Sequence, residues 1–382
     1  MYEFVYRNMT KKKYNTYDSL IIFNSKFDDR LDNFIDIINK YQRLIFSDHN
    51  VIILKTKMIY ALFINKNMFD DGDGSDCNGK FNNSIDILEK TNLTHIILSY
   101  KFNNSIDNLP FTLIQLVTGG EFNKSVNNLP SNLKYLEFGW KFNHPVNNLP
   151  ISLTHLIFDN SEDCEFNNSV DQLPESILYL VLRLSDGSIN NLPSYLEELS
   201  ISNYKQKINC LPEKLKKLTL SYCESPIQLL PSSIIDLTFI GSFDYPSIFP
   251  QNLLKLKFID CFKQQIIILP SSLFEISFSE NFNQPFDSLP QNITKITFGT
   301  YFNQPLDNLP KSLKILDLSA SIIFEFYSSL PDQIEYLYLN KDYIGKIKIP
   351  QNLISIECLE ELLYSNPELT TSKIAIKIYD NE

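Results

Sequence analysis

The stretch YFNQPLDNLPKSLKILDLS, residues 301–319, contains the pattern on which most of the chain is built. It joins a Phe-Asn pair, a Leu-Pro pair and a Leu-x-x-Leu-x-Leu run. Close copies of the stretch begin at Phe102, Phe122, Phe142, Phe166 and Phe282. Self-similarity at a fixed period indicates a repeat architecture, so the repeat and not the length of 382 residues sets the domain count.

A series of prolines marks the period of this repeat, with intervals of 19 to 21 residues and one longer step at the insertion NSEDC. The series is Pro110, Pro130, Pro150, Pro174, Pro193, Pro212, Pro231, Pro250, Pro270, Pro290, Pro310, Pro331 and Pro350. Leu or Ile stands three residues after each of them, and another apolar residue follows three later. A third, two positions further on in most copies, alternates with polar neighbours, which is the period of a β-strand.

One short strand every ~20 residues leaves too little chain for a helical crossover, yet successive strands can stack in parallel if the chain coils. The pattern therefore predicts a repeat solenoid with one short parallel β-strand in each coil. In the quoted coil, we expect the core to hold Phe302, Leu306, Leu309, Leu313, Leu316 and Leu318. Pro305 and Pro310 would turn the chain, and Asn303 would bond neighbouring backbone.

The LxxLxL run resembles the leucine-rich repeat, and the lead-in, seen as FNQPL and FNHPV, more closely resembles the FNIP repeat. The resemblance covers roughly residues 81 to 357 and implies a right-handed, leucine-rich-repeat-like coil. FNIP-repeat proteins occur in amoebae and in the large DNA viruses that infect them. A cytoplasmic location is expected, in the host cytoplasm if the chain is viral. Between about 185 and 260 the Phe-Asn pair is replaced while the prolines and strand residues persist.

Three regions are predicted: 1–75 as an N-terminal cap or divergent adaptor-binding region of mixed α/β structure, 76–357 as a solenoid of about 13–14 coils, and 358–382 as a C-terminal cap. Helical spacing follows Asp28, and NVIILKTKMIYALFIN suits strands or a buried helix. SIECLEELLYSNPEL predicts a helix that ends before Pro367, and TSKIAIKIYDNE predicts an amphipathic strand.

The segment DDGDGSDCNGKF, residues 70–81, resembles a calcium loop only at its first acids. Asp76 stands where the loop needs Gly, and Asn82 stands where it needs Glu. We therefore interpret the segment as a linker and place a boundary near residue 76.

Composition excludes several classes of function. The net charge of −11 argues against a nucleic-acid partner, because such binding depends on Lys and Arg. No stretch approaches the length of a membrane span, and the six single cysteines form no metal pair, so we expect a soluble intracellular protein with reduced thiols. No catalytic, cofactor-binding or metal-binding residues are assigned, and Cys358 is expected in the core.

The strand residues that point outward decide what the surface can bind. Five residues after successive prolines, the charges alternate from Glu198 to Lys295, which predicts ion pairs between neighbouring coils. Earlier coils place aromatic residues there instead, while His95 and His155 are expected as surface residues rather than metal ligands. The candidate protein-binding residues are Tyr135, Trp140, His155, Tyr179, Tyr336 and Tyr338.

The leading hypothesis is a non-enzymatic, monomeric interaction scaffold that binds an unknown protein through its strand face. The alternative is the substrate-recognition subunit of a ubiquitin ligase, because FNIP-repeat proteins that resemble this chain often carry an N-terminal F-box that binds a ligase adaptor. No clear F-box signature is visible in residues 1–75. For the core assignment, we expect Leu316→Asp to unfold neighbouring coils and Lys314→Asp to be tolerated.

Overall fold

The computed structural model describes residues 14–17, 20–23, 30–46, 51–55, 60–64, 80–184, 186–223, 229–241, 249–260, 268–285, 289–306, 308–322 and 330–379. The chain divides into two compact units, unit 1 (Met1–Leu196) and unit 2 (Glu197–Glu382). The boundary predicted near residue 76 lies outside the described residues.

Unit 1 begins with short elements and continues with regularly spaced strands. Its elements are β1 (Tyr14–Tyr17), β2 (Leu20–Phe23), a 3₁₀ turn (Leu31–Phe34), α1 (Ile35–Ile38), β3 (Arg43–Phe46), β4 (Val51–Lys55), β5 (Tyr60–Ile64), a second 3₁₀ turn (Asp86–Lys90), β6 (His95–Ile97), β7 (Gln115–Val117), β8 (Tyr135–Glu137), β9 (His155–Ile157) and β10 (Tyr179–Arg183). β1 and β2 pair antiparallel, and so do β4 and β5. From β2 through β3 and on from β6 to β10, each strand pairs in parallel with the next.

Unit 2 contains strands of the same kind and two short helices near its end. Its elements are β11 (Glu198–Ser202), β12 (Lys217–Ser221), β13 (Asp236–Ile240), β14 (Lys255–Ile259), β15 (Glu275–Ser277), β16 (Lys295–Thr297), β17 (Ile315–Leu318), β18 (Tyr336–Leu339), β19 (Ser355–Cys358), α2 (Leu362–Ser365), α3 (Glu368–Thr371) and β20 (Ala375–Ile378). Every pair of successive strands from β11 to β20 is parallel.

The predicted leucine-rich-repeat-like coil, with one short parallel strand in each repeat, is confirmed. Equivalent residues of successive coils face each other, as Leu316 does with Ile296 and Leu337. The residues three, six and eight positions after the prolines form three buried rows. The core predicted for the quoted coil is confirmed, from Phe302 to Leu318, and Cys358 is buried as expected.

Part of the N-terminal region continues the parallel ladder. β3 pairs with β6, so that Leu44 lies opposite Ile96 on the first full coil. The helix predicted after Asp28 is short, because α1 ends at Ile38 and the apolar spacing beyond it belongs to β3. The strand interpretation of residues 50–65 is confirmed by β4 and β5.

The predicted C-terminal helix is shorter than its sequence pattern suggested. Ser355–Cys358 form β19, because Ile356 continues a buried row, and α2 covers only Leu362–Ser365. α2 ends before Pro367 as predicted, and α3 follows. β20 is a strand, but its predicted amphipathic alternation is wrong, because Ile376 is only half-buried and Ile378 is exposed.

Two ladders of polar side chains hold the coils together outside the strands. In the lead-in, the Asn side chain of one coil accepts a hydrogen bond from the backbone N–H of the equivalent residue in the next coil, as Asn103 does from Asn123 at 2.9 Å and Asn283 from Asn303 at 2.8 Å. The equivalents of Asn303 in earlier coils thus have the role predicted for it. For Asn303 itself the prediction is wrong, because its side-chain oxygen has no hydrogen-bond partner among the described residues. Sequence reasoning missed a second ladder two residues after the prolines, where Ser, Thr or Asn donates to a carbonyl of the preceding coil. Its members include Thr112, Asn132, Ser152, Ser176, Ser233, Asn252, Ser272, Asn292 and Ser312.

The coils between 197 and 260 turn differently after the strand. Ten residues after the proline, four successive coils hold a residue in the left-handed region: Asn203, Tyr222, Gly241 and Asp260, with φ from +50° to +89°. Such a backbone suits Gly, Asn and Asp but strains a bulky residue. Tyr222 gains compensating contacts, because its hydroxyl donates to Asp260 and its ring lies where a side chain on Gly241 would clash.

Leu316→Asp tests the inward rows, because it places a carboxylate in a fully buried position between two coils. We expect a loss of about 4 kcal/mol or more in the free energy of unfolding. The measurement is thermal and denaturant unfolding followed by circular dichroism. Lys314 is exposed but pairs with Glu335 at 2.9 Å, so the exposed Lys311 is the cleaner control, as Lys311→Asp. Equal melting temperatures for the two variants would refute the register.

Candidate protein-binding surface

The outward row consists of the strand residues five positions after the corner prolines, together with His95 in the first coil. In unit 1 it runs through neighbouring strands as His95, Gln115, Tyr135, His155 and Tyr179. A strand points successive side chains to opposite faces, so this row lies opposite the buried leucines. The predicted site residues on β8, β9 and β10 are thereby brought side by side.

Tyr135, His155 and Tyr179 form a continuous stack of rings. The ring centroids of Tyr135 and His155 are 6.0 Å apart, and those of His155 and Tyr179 are 5.6 Å apart, with 28° between the planes in both pairs. All three side chains are half-buried. Each ring limits the rotamers of its neighbour, so the stack presents a rigid aromatic surface.

Thr154 helps to hold the ring of His155. The Thr154 hydroxyl lies 3.0 Å from the carbonyl oxygen of Lys134 and 2.9 Å from His155 Nδ1. Thr94 holds His95 in the same way, because its hydroxyl lies 3.1 Å from the carbonyl oxygen of Gln42 and 2.8 Å from His95 Nδ1. Each histidine ring is therefore fixed by the threonine that precedes it.

The Tyr135 hydroxyl is a permanent donor. It donates to Glu137 Oε2 at 2.7 Å. Burial raises the pKa of Tyr135 far above its ordinary value, and the charge and hydrogen bond of Glu137 raise it further. The hydroxyl therefore stays protonated throughout the physiological range, and it fixes the position of the Glu137 carboxylate.

The outward-facing side chains of β6 and β7 are buried and provide no exposed surface for a partner. His95 is 9% exposed and Gln115 is 2% exposed, and their strand neighbours Ile97 and Val117 are buried as well. The expectation that His95 is a surface residue is therefore wrong, whereas His155 is half-buried. Gln115 Nε2 has no hydrogen-bond partner in the part of the chain that the structure describes. The aromatic surface is thus limited to β8, β9 and β10.

A second row of outward side chains, two residues further along the strands, extends this surface. Ile157 and Val181 are half-buried beside the rings, and Glu137 provides one carboxylate at the β8 side. We call the set Tyr135, Glu137, His155, Ile157, Tyr179 and Val181 the aromatic patch. It combines two tyrosine rings and a histidine ring with adjacent apolar side chains, and tyrosine is enriched at protein-binding hot spots.

Trp140 belongs to a different cluster from the aromatic patch. Its indole N–H donates to the Tyr100 hydroxyl at 3.2 Å, and Lys141 Nζ lies 4.8 Å from the ring centroid. Gly120 lies between the two rings, where a Cβ atom would come within 2.9 Å of both. Trp140 therefore packs against the turns that follow the strands, and the structure does not place it in the stack.

The outward row of unit 2 is polar and largely self-neutralised. Lys217 pairs with Glu198 at 3.5 Å, and Glu275 pairs with Lys255 at 3.1 Å and Lys295 at 3.2 Å, as the alternation of charge predicted. Asp236 forms no ion pair with the lysines on either side, because its side chain is one methylene shorter than that of Glu. The predicted ladder is therefore interrupted at β13.

Tyr336 and Tyr338 lie on β18 and form a smaller surface. Tyr336 is 37% exposed and Tyr338 is half-buried. On the neighbouring strands they face Ile315, Asp317 and Ser355, none of which is aromatic. The two tyrosines therefore lack the stacked arrangement of unit 1.

The described residues were also compared with the requirements of other kinds of site. They contain no helix with the length and apolarity to cross a bilayer. Within the same ranges, no three His, Cys, Asp or Glu side chains are grouped to hold a metal ion. Cys223 and Cys358 are buried thiols, and burial raises the pKa of each to about 11.

Comparisons with known proteins agree with this geometry. The FNIP repeat model matches residues 122–161, 187–223 and 282–321, so the chain contains FNIP repeats, including one stretch where the Phe-Asn lead-in is replaced. No curated protein sequence matches the chain. CroV588, from a giant virus and described as a novel circular leucine-rich-repeat protein structure, is 27% identical with a TM-score of 0.62. The match covers 91% of this chain and 58% of CroV588, so the chain spans little more than half of that protein.

Two bacterial structures are more distant. YopM from Yersinia enterocolitica is 22% identical with a TM-score of 0.44, over 70% of this chain and 64% of YopM. The internalin InlF from Listeria monocytogenes is 15% identical with a TM-score of 0.41, over 78% of this chain and 83% of the internalin.

Glu275 predicts a pH dependence of stability. Burial raises the pKa of its carboxyl, but the hydrogen bonds and charges of Lys255 and Lys295 outweigh burial and hold the pKa below its ordinary value of 4.5. A carboxyl whose pKa is lower in the folded than in the unfolded protein stabilises the fold at pH values above the unfolded-state pKa. This stabilisation is lost as the pH falls through the folded-state pKa. We expect Glu275→Gln to lower the free energy of unfolding by about 1 kcal/mol at pH 7.

The difference between wild type and Glu275→Gln should shrink as the pH falls below 4.5, in urea unfolding series at several pH values. Asp236→Asn is the matched control, because Asp236 occupies the same row without an ion pair. A Glu275→Gln effect that is constant with pH would contradict the assignment.

Proposed function

We propose that this chain is a non-enzymatic protein-interaction scaffold that contacts its partner through the aromatic patch of unit 1. Repeat folds of the leucine-rich type are typical of such scaffolds. The single observation that carries the proposal is the half-buried stack of Tyr135, His155 and Tyr179. The partner is a protein, and we place the interaction in the cytoplasm.

The stack is suited to binding because little entropy is lost when a partner covers it. Tyr and His side chains have two rotatable bonds, and here their rings are already held by one another and by Thr154 and Glu137. Covering half-exposed rings and the adjacent Ile157 and Val181 removes apolar surface from water. Glu137 supplies a carboxylate acceptor, so the partner should present a hydrogen-bond donor beside an apolar segment.

The outward row of unit 2 is a less suitable surface for the same role. Its charges are compensated by neighbouring coils, and a partner would have to break or desolvate those ion pairs. Glu275, for example, already accepts from two lysines. The contrast between the units supports the assignment of the primary contact to unit 1.

The ubiquitin-ligase alternative rests on residues 1–75, most of which lie outside the described ranges. β2 and β3 pair into the same sheet as β6, which favours a capping role for at least these two strands. Truncation at residue 76 would therefore also remove the strand next to β6. The alternative is better tested with the intact chain: a pull-down from host extract that recovers no cullin adaptor would exclude it.

Site-specific photocrosslinking in cells tests the aromatic patch. A benzophenone amino acid replaces Ile157 in the full chain, and the matched control carries it at Lys257, the equivalent position in unit 2. We expect a discrete covalent adduct at position 157 and none of the same mass at 257. Mass spectrometry of the adduct identifies the partner.

The Tyr179→Ser substitution in the same crosslinking chain makes the test specific. Loss of one ring from a hot spot should reduce adduct yield at least about tenfold, while Tyr336→Ser should leave it unchanged. Circular dichroism melts establish that both variants remain folded. An adduct at position 157 that persists at full yield in Tyr179→Ser would overturn the proposed surface.

A further inference from the structure

The position directly after the corner proline is apolar in two coils, and the aromatic patch does not explain this. The residue directly after the corner proline is polar in nearly every coil: Ser131, Glu175, Ser194, Glu213, Ser232, Gln251, Ser271, Gln291, Lys311, Asp332 and Gln351. The exceptions are Phe111 and Ile151. Both lie in unit 1, two coils apart, on either side of Ser131.

These two side chains project into solvent. Phe111 is 70% exposed and Ile151 is 86% exposed, and Ser131 between them is also exposed. Neither side chain contributes to the core, since Leu113 and Leu153 fill the inward positions of the same coils. The fold alone therefore gives no reason for apolar residues at these two positions, and exposed apolar residues grouped on one edge indicate an interaction site.

The backbone of this edge is rigid. Asn132 Nδ2 donates to the carbonyl of Phe111 at 2.9 Å, and Ser152 Oγ donates to the carbonyl of Leu133 at 2.7 Å. Within each corner, the backbone N–H of Leu113 donates to the carbonyl of Pro110, and that of Leu153 donates to the carbonyl of Pro150, both at 3.0 Å. The two apolar side chains thus have a fixed spacing, which is about 10 Å for two steps of a parallel sheet.

We propose that this edge forms the interface of a symmetric homodimer, with the two-fold axis beside Ser131. A two-fold axis at the middle coil places Phe111 of one copy opposite Ile151 of the other, and the same contact is repeated on the far side of the axis. The small side chain of Ser131 leaves room for the close approach of the two edges. A second copy of the chain fits this arrangement because the edge is complementary to itself.

The charged residues one coil beyond Phe111 and Ile151 are complementary across the same two-fold axis. Lys90, one coil before Phe111, ends the 3₁₀ turn Asp86–Lys90, and Glu175 lies one coil after Ile151. The axis brings Lys90 of one copy near Glu175 of the other, twice in each dimer. Both residues are exposed, and Glu175 keeps its contact with Ser194 at 2.8 Å. Like charges do not meet at these positions.

The interface is small, and it uses an edge of the coils rather than the strand face. Two pairs of apolar side chains bury less surface than a stable obligate dimer, so association in the micromolar range is expected. The aromatic patch is a separate set of residues, so the dimer does not depend on the proposed protein-binding role. The expectation of a monomer is replaced by a monomer–dimer equilibrium.

Sedimentation equilibrium of the purified full chain, from about 5 to about 200 µM, tests the proposal. We expect a reversible dimer, and Phe111→Ser and Ile151→Ser should each weaken it about tenfold or more, because each removes apolar contacts twice. Leu229→Ser is the control, since Leu229 is 79% exposed in unit 2 and should have no effect. A chain that stays monomeric, or a dimer that tolerates both substitutions, would overturn the interface.

A charge exchange tests the position of the axis. Lys90→Glu and Glu175→Lys should each weaken the dimer severalfold, and the double variant should restore it, because the opposite charges meet again across the interface. Failure of the double variant to recover would reject the two-fold axis at Ser131. Circular dichroism melts confirm that the variants are folded before sedimentation.

Discussion

A strand of three to five residues cannot bury its own apolar side chains, and this constraint governs the whole molecule. Each inward residue needs the equivalent residues of the coils before and after it, as Leu316 lies between Ile296 and Leu337, together with the buried residues of the lead-in, as Phe298 packs on Phe302. Neighbouring coils must therefore keep the same register, and a shift by one residue would expose three rows at once. The same register places the outward residues of neighbouring coils opposite each other. Ring stacks and ion pairs therefore form wherever complementary residues occupy equivalent positions.

The backbone between strands has to satisfy its polar groups by other means. In the coils with a Phe-Asn lead-in, the Asn side chain accepts from the next coil, whereas the coils that end in Asn203, Tyr222, Gly241 and Asp260 extend the strand and then turn through the left-handed region. Both solutions preserve the inward rows. The replacement of the lead-in after residue 185 thus changes the turn and exchanges the buried Phe for Tyr204 and Cys223 in two coils, while the inward strand rows are kept.

The sequence was sufficient for most features that depend on a coil and its neighbours, although the second ladder of Ser, Thr and Asn and the interruption of the ion pairs at Asp236 were not predicted. The buried rows, the Asn ladder and the ion pairs of Glu275 follow from the period and the strand spacing alone. The burial of individual outward residues and the packing of side chains in the turns were not predictable from the repeat pattern. His95 and Gln115 occupy outward positions yet are buried, and Trp140 turns toward Tyr100 two coils away because Gly120 leaves space for both rings.

The Asn ladder has a direction, and this affects how such a protein can change in evolution. Each Asn needs a suitable backbone N–H in the following coil, and the oxygen of Asn303 shows the alternative, since it is buried and has no hydrogen-bond partner among the described residues. Duplication or deletion of a whole lead-in coil preserves the Asn hydrogen bonds between the remaining coils. The number of such coils can therefore change in evolution with little loss of stability. A coil of another type can also follow a lead-in coil, because the backbone N–H groups of Asp186 and Gly187 donate to Asn167 Oδ1 at 3.0 and 3.1 Å although the Phe-Asn pair is replaced there. The requirement on a new neighbour is therefore a backbone N–H at the right place rather than a second Asn.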